Sequence, residues 1–249
     1  MAEPLLEVTG LIKSFGGLVA IDSVSLDVTS DEVHAVIGPN GAGKTTFIAQ
    51  ISGDLRPDSG TIRFAGADIT RLATPKRAQR GLARSFQITS IFRDVTAEDN
   101  VALAVQAHDG HSFRFWRAAK ADPSLRDPAR AALDRVGLGD RRDVVAGELA
   151  HGEQRQLELA MAIATEPAML LLDEPMAGMG AEESERMVAL LQELKGSAAI
   201  LLVEHDMDAV FALADRITVL VRGQAIATGS PQEIRDDDQV RRAYLGEDG

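Results

Sequence analysis

Gly38-Pro39-Asn40-Gly41-Ala42-Gly43-Lys44-Thr45 fits the pattern G-x-x-x-x-G-K-[ST] at every fixed position. A short apolar run, Glu32 to Ile37, leads into it. A helical pattern from about Gly43 to Ser52 follows it. Glycines let a backbone wrap closely around phosphate and turn its N–H groups inward. The start of the following helix adds favourable partial charge. Lys44 is placed to reach β- and γ-phosphates, and the Thr45 hydroxyl to ligate Mg²⁺. A strand, a glycine loop and a helix in that order predict a phosphate-binding loop in an α/β fold.

The flanking sequence agrees. Leu6 to Thr9 and Val24 to Val28 alternate apolar and polar residues and read as strands. Pro57-Asp58-Ser59-Gly60 is a turn, and Thr61 to Phe64 returns to strand. From about Thr96 to Ala164 the pattern is helical, interrupted at His108-Asp109-Gly110, Pro123 and Pro128. The last third alternates: strand Ala168 to Leu172, helix Glu182 to Lys195, strand Ala199 to Val203, helix Met207 to Leu213, strand Ile217 to Val221. That order predicts a mostly parallel sheet covered by helices, with a mostly helical insertion between roughly Ile88 and Met161.

Met169 to Leu172 is an apolar strand that ends in two carboxylates, Asp173 and Glu174. Downstream of a phosphate loop, Asp173 is the candidate for holding Mg²⁺. Glu174 is the candidate general base for an attacking water.

Composition narrows the class. The chain has 249 residues, 26 Lys plus Arg against 38 Asp plus Glu, and a formal net charge of −12. Nucleic-acid binding needs basic residues to neutralise phosphates, so no nucleic-acid partner is expected. With no cysteine, thiolate metal sites, disulfides and Cys nucleophiles are excluded. The acidic stretch Met1 to Glu7 does not read as a secretory signal. Apolar runs such as Ala198 to Val203 are far shorter than a membrane span of about 20 residues.

Leu149-Ala150-His151-Gly152-Glu153-Gln154-Arg155-Gln156 resembles the signature motif of the ATP-binding-cassette (ABC) ATPases. The order of phosphate loop, glutamine loop, signature, acidic strand, D-loop and switch histidine is that family's order, and the resemblance covers essentially the whole chain. It implies a P-loop NTPase (RecA-like) core with an antiparallel β region and an inserted α-helical subdomain of about residues 88–161, all within one cassette, residues 1–249. It implies ATP held by Phe15, stacked on adenine, and by Gly38, Pro39, Asn40, Gly41, Ala42, Gly43, Lys44, Thr45 and Thr46. Across a head-to-tail pair, Ala150, His151, Gly152 and Glu153 face the other subunit's ATP. Thr45, Gln87 and Asp173 are the implied metal ligands, and Glu174, His205 and Gln87 the implied catalytic residues. Gln87 lies in Ser85-Phe86-Gln87, and His205 in Val203-Glu204-His205-Asp206.

Three positions depart from the family pattern. Ala150 stands for the usual signature serine, His151 for the first signature glycine, and Gly180 for the usual D-loop acid or amide. Within the family, the phosphate-loop segment, Ser85 to Gln87, Met176 to Gly180 and the ending Arg242-Ala243-Tyr244-Leu245-Gly246 resemble the ATPase subunits of branched-chain (hydrophobic) amino-acid importers. The lipopolysaccharide exporter ATPase has a similar ending and is the alternative. Chromosome-maintenance ATPases share the cassette, but usually insert long coiled coils for which this chain has no room. The implied partners are transmembrane permease subunits, a second ATPase (same chain or paralogue) and, indirectly, a solute-binding protein. The implied place is the cytoplasmic face of the inner membrane, as a peripheral subunit. Phe113-Arg114-Phe115-Trp116-Arg117 reads either as aromatics packed on the subdomain or as contact with the permease or lipid headgroups. His34, His108 and His111 match no motif and read as structural or solvated.

Overall fold

The computed structural model describes residues 3–84, 91–109 and 122–245. In chain order the elements are strands β1 (Leu6–Phe15), β2 (Leu18–Val28) and β3 (Val33–Ile37), helix α1 (Lys44–Ser52), and strands β4 (Ser59–Phe64) and β5 (Ala67–Asp68). Helix α2 (Thr74–Ala78), strand β6 (Leu82–Arg84), and helices α3 (Ala97–Asp109), α4 (Pro123–Arg135) and α5 (His151–Ile163) follow. The remainder is β7 (Met169–Asp173), α6 (Ala181–Leu194), β8 (Ala199–Val203), α7 (Met207–Leu213), β9 (Arg216–Val221), β10 (Gln224–Gly229), α8 (Pro231–Asp236) and α9 (Asp238–Leu245).

Two sheets form. The antiparallel one has the order β2-β1-β4-β5, and the larger one β10-β9-β3-β8-β7-β6. In the larger sheet β9, β3, β8, β7 and β6 run parallel, and only β10 is antiparallel, at the edge. Side-chain alternation along the parallel strands sorts the core into layers. Leu170 and Leu172 of β7, with Ile200 and Leu202 of β8, face α3, α4 and α5. Met169 and Leu171, with Leu201 and Val203, face α1 (Phe47, Ile48, Ile51) and the antiparallel sheet. A third cluster joins Ala35, Ile37, Ile217 and Val219 to Val210, Ile234 and Val240 of α7, α8 and α9. Each fully buried Leu or Ile contributes about 1.5–3 kcal/mol, so both faces of the sheet hold it in place.

The expected parallel α/β core and antiparallel region are present. Where the elements differ, the cause is local. β1 and β2 run well beyond Leu6 to Thr9 and Val24 to Val28, because shifts in register between Val8 and Ser14 break the alternation that a strand reading relies on. β6 spans three residues and β5 two, too short to show a period. Among the described residues, no helix is long and apolar enough to cross a membrane.

The registers bring three loops together. Val36 of β3 lies beside Val203 of β8, and Asp173 of β7 pairs with Val203 on the other side. The loops leaving β3, β7 and β8 therefore emerge side by side at the carboxyl edge of the sheet, where parallel α/β folds place their ligands.

Candidate nucleotide site

The first loop leaves β3 at Gly38. Gly38 (φ 154°) lies so close to the Leu220 carbonyl that a Cβ there would collide with it. At Gly43 (φ 102°) a Cβ would strike the Ala20 carbonyl and the Ile21 side chain. Side chains are thus excluded on the inner face of the loop by β9 and β2, and the backbone keeps its tight arc. The arc is tied by Ala42 N to Pro39 O (3.2 Å) and Gly223 N to Ala42 O (3.0 Å). Asn40, Gly41 and Thr45 are exposed, while Lys44 is buried. The Lys44 ammonium donates to Gly38 O (2.6 Å) and Pro39 O (3.1 Å). Burial lowers its pKa, opposed by the negative charges of Glu174 and Asp173. A buried ammonium and exposed loop backbone are suited to an anion of several charges.

At the tip of β7 the two carboxylates part company. Asp173 is buried, with Oδ2 3.3 Å from Arg84 Nη2, and its buried Oδ1 has no hydrogen-bond partner among the described residues. Burial raises its pKa; Arg84 opposes that, and Glu174 adds to it. An unsatisfied buried carboxylate oxygen costs free energy unless a cation or its water meets it. That oxygen, with the exposed Thr45 at the start of α1, fits the oxygen-donor chemistry of Mg²⁺. Glu174 adopts a left-handed backbone (φ 50°), rare for a residue with a side chain, and its N–H donates to Val203 O (2.9 Å). The turn swings its carboxylate out of the strand into partial exposure.

His205, after β8, is 62% exposed, with Nδ1 3.9 Å from Glu174 Oε1. Phe15, at the end of β1, is half exposed, with Lys13 Nζ 5.6 Å from its ring centroid. One ring face is thus braced by a cation, which suits the ring to stacking.

Ala150, His151, Gly152 and Glu153 open α5 in the helical layer. Ala150 is the N-cap and has no side-chain acceptor. Glu153 makes the reciprocal half of a capping box, accepting from Ala150 N (2.9 Å), and Arg141 donates to it (2.9 Å). That guanidinium bond holds the Glu153 carboxyl below its ordinary pKa. A Cβ at Gly152 would run into the Glu183 carboxylate, and the His151 ring lies against Gly178. The signature and the D-loop of one chain are thus neighbours. Among the described residues, no hydrogen bond or ion pair joins the signature to the phosphate loop of the same chain. Gly180 is the N-cap of α6, its N–H bonded to Glu183 (3.1 Å).

Gln87 and the Phe113 to Arg117 cluster lie outside the described residues. His34 is fully buried between Glu32 (3.0 Å) and Thr218 (2.8 Å), a structural histidine. Two residues near the site carry no motif: Arg84, which bridges Asp54 and Asp173, and Glu204, taken up below. Arg84 sits three residues before Gln87, and Glu204 directly before His205; those positions were the only signal. A largely apolar groove of about 300 Å³, lined by Pro75, Ala78, Ala83, Ala104, Ala107 and Met161 among others, separates α2 and β6 from α3 and α5.

A phosphate loop, an acidic strand tip and an exposed histidine on adjacent parallel strands define a P-loop nucleotide hydrolase. A family profile described as "ABC transporter" matches residues 21–177, and one described as "Branched-chain amino acid ATP-binding cassette transporter" matches residues 226–249. The chain belongs to the ABC transporter family, as an ATP-hydrolysing transporter subunit. It is 39% identical over 256 residues to the high-affinity branched-chain amino acid transport ATP-binding protein BraF of Pseudomonas aeruginosa, covering 99% of this chain and 100% of that one. The same figures hold for LivG of Escherichia coli K12. The lipopolysaccharide export system ATP-binding protein LptB of Haemophilus influenzae is more distant, at 32% identity with 98% of each chain covered. Among solved structures, a nucleotide-free ATP-binding cassette from an ABC transporter superposes with TM-score 0.86 at 30% identity, covering 97% of this chain and 99% of that one. The ADP conformation of another such cassette gives 0.86 at 29% identity, covering 98% and 100%.

Proposed function

We propose that this chain hydrolyses ATP at the carboxyl edge of its parallel sheet, and so drives import of branched-chain or other hydrophobic amino acids, or related small solutes. One observation carries the site: the loops leaving β3, β7 and β8 emerge side by side and lead to Lys44 at the start of α1, to Glu174 beside Asp173, and to His205. The cargo reading is supported by full-length similarity to BraF and LivG and by the C-terminal profile.

In this reading residues 38–46 wrap the phosphates with backbone N–H groups, Lys44 pairs with the β- and γ-phosphates, and Phe15 stacks on adenine. Thr45, Asp173 and Gln87 hold Mg²⁺, which when bound neutralises charge on the phosphate oxygens. Glu174 accepts a proton from the attacking water, and His205 contacts the γ-phosphate. Ala150 to Glu153 serve the ATP of a second ATPase subunit, in a head-to-tail pair with two ATP molecules between the cassettes. With Ala150, that service rests on backbone N–H groups at the start of α5 rather than on a hydroxyl.

The chain acts as a peripheral subunit at the cytoplasmic face of the membrane. Helices α3, α4 and α5 belong to its helical subdomain, and the groove between α3, α5 and α2 receives a permease segment. A largely apolar groove between helices is suited to a short helix of a partner.

The test is uptake of radiolabelled leucine by cells lacking this chain and complemented with it. Energy-dependent uptake is expected to return with the wild-type chain and not with Glu174→Gln. Wild-type complementation that leaves leucine, isoleucine and valine uptake unchanged would refute the cargo.

A further inference from the structure

Glu204 directly follows β8 with its side chain 1% exposed, an uncommon place for a carboxylate. Among the described residues, no Lys or Arg pairs with it. Instead its two oxygens are divided between two loops. Oε1 accepts from the backbone N–H of Met176 (3.0 Å), and Oε2 from that of His205 (3.0 Å). The His205 ring Nδ1 lies 3.7 Å from Oε2. Met176 stands two residues after Glu174, in the turn Glu174-Pro175-Met176-Ala177 closed by Ala177 N to Glu174 O (3.1 Å). One buried carboxylate thus fastens the turn that carries Glu174 to the turn that carries His205.

We propose that Glu204 is a positioning residue for hydrolysis, a staple that sets Glu174 and His205 in register across β7 and β8. This rests on the reading of those two residues given above. The chemistry favours a carboxylate. Backbone N–H groups that leave strand tips lack ladder partners, and an anion with four lone-pair sites satisfies several at once. Burial makes each bond stronger and each loss more costly. A glutamine has a single acceptor oxygen, so it can hold one loop but not both. An aspartate keeps the charge but is one methylene shorter and cannot span the two donors. Neither change touches the phosphate loop or the aromatic that receives adenine, so nucleotide binding is left in place while the reacting groups drift. Misplacement of catalytic groups by about an ångström costs up to about a hundredfold in rate.

The experiment is steady-state ATPase kinetics, with nucleotide affinity by calorimetry, on the purified full chain as wild type, Glu204→Gln, Glu204→Asp, Glu174→Gln and His205→Ala. The staple predicts that Glu204→Gln and Glu204→Asp each lower kcat about ten- to a hundredfold, with KM and Kd for ATP within about twofold of wild type. Amide resonances of Met176 and His205 should move in both variants, and those of residues 38–46 should not. A folded Glu204→Gln or Glu204→Asp protein with wild-type kcat would overturn the proposal. So would a loss confined to KM and Kd, or a fall in thermal midpoint with kcat intact. If one variant does not fold, the other carries the comparison. If Glu174→Gln and His205→Ala themselves retain full turnover, the reading of the site fails. If they lose turnover while both Glu204 variants keep it, only the staple fails.

Discussion

Glu174→Gln is expected to bind ATP as the wild-type chain does and to hydrolyse it at least about a hundredfold more slowly, the scale of losing a general base. The geometry supplies the reason. Asp173 is buried at the end of an apolar strand and tied to Arg84, whereas Glu174 turns out of the strand through a left-handed backbone into partial exposure. Of the two carboxylates, only Glu174 is open to an incoming water. The substitution preserves volume and hydrogen-bonding shape but removes the proton acceptor. The Glu174 N–H bond to Val203 O is a backbone bond and survives it. ATP should then accumulate uncleaved between paired cassettes, and size-exclusion chromatography with light scattering should show a nucleotide-dependent dimer. Turnover near wild type would remove Glu174 from the base role.

Lys44→Ala is expected to weaken ATP binding by about one to two orders of magnitude, because a hydrogen bond to a charged group is worth about 1.5–3 kcal/mol. Lys44 lies buried under the loop carbonyls of Gly38 and Pro39, its burial opposed by Glu174 and Asp173. Removing the ammonium also leaves Arg84 as the positive charge beside Asp173 and takes away the one that Lys44 sets against Glu174. Titration calorimetry measures the loss directly. Thermal midpoints give a second readout, since ligand stabilisation scales with RT ln(1 + [L]/Kd). The upward shift with ATP should shrink in Lys44→Ala. An unchanged Kd would mean that the loop does not hold phosphate through this residue.

Much of the candidate site is legible in the sequence, for physical reasons that differ by residue. Residues 38–45 combine glycine spacing with a strand before and a helix after, and Gly38 and Gly43 prove to sit where a Cβ has no room. Asp173 and Glu174 could be read because an unbroken apolar strand ending in two carboxylates is a local pattern. Which of them is buried and which open depends on φ at Glu174 and on Arg84, 89 residues away, and no local pattern carries either. Glu204 escaped for the same reason. Its partner Met176 is 28 residues distant, and only the pairing of β7 with β8 reveals what the carboxylate holds. The parallel core was readable from its alternation of strands and helices. The long hairpin of β1 and β2 was not, because its register shifts hide the period, and the C-terminal β10, α8 and α9 are short elements whose apolar positions make sense only against Ala35, Ile37 and Val219.

The central claim is that ATP is hydrolysed at a site completed by a second cassette, since Ala150 to Glu153 open a helix with no hydrogen bond or ion pair to their own phosphate loop among the described residues. The most direct test is turnover per chain as a function of the concentration of the purified protein. Turnover should rise with concentration in the dilute range and level off as pairs form, and Glu174→Gln should remain near zero throughout. A rapid turnover that stays constant on dilution would contradict it.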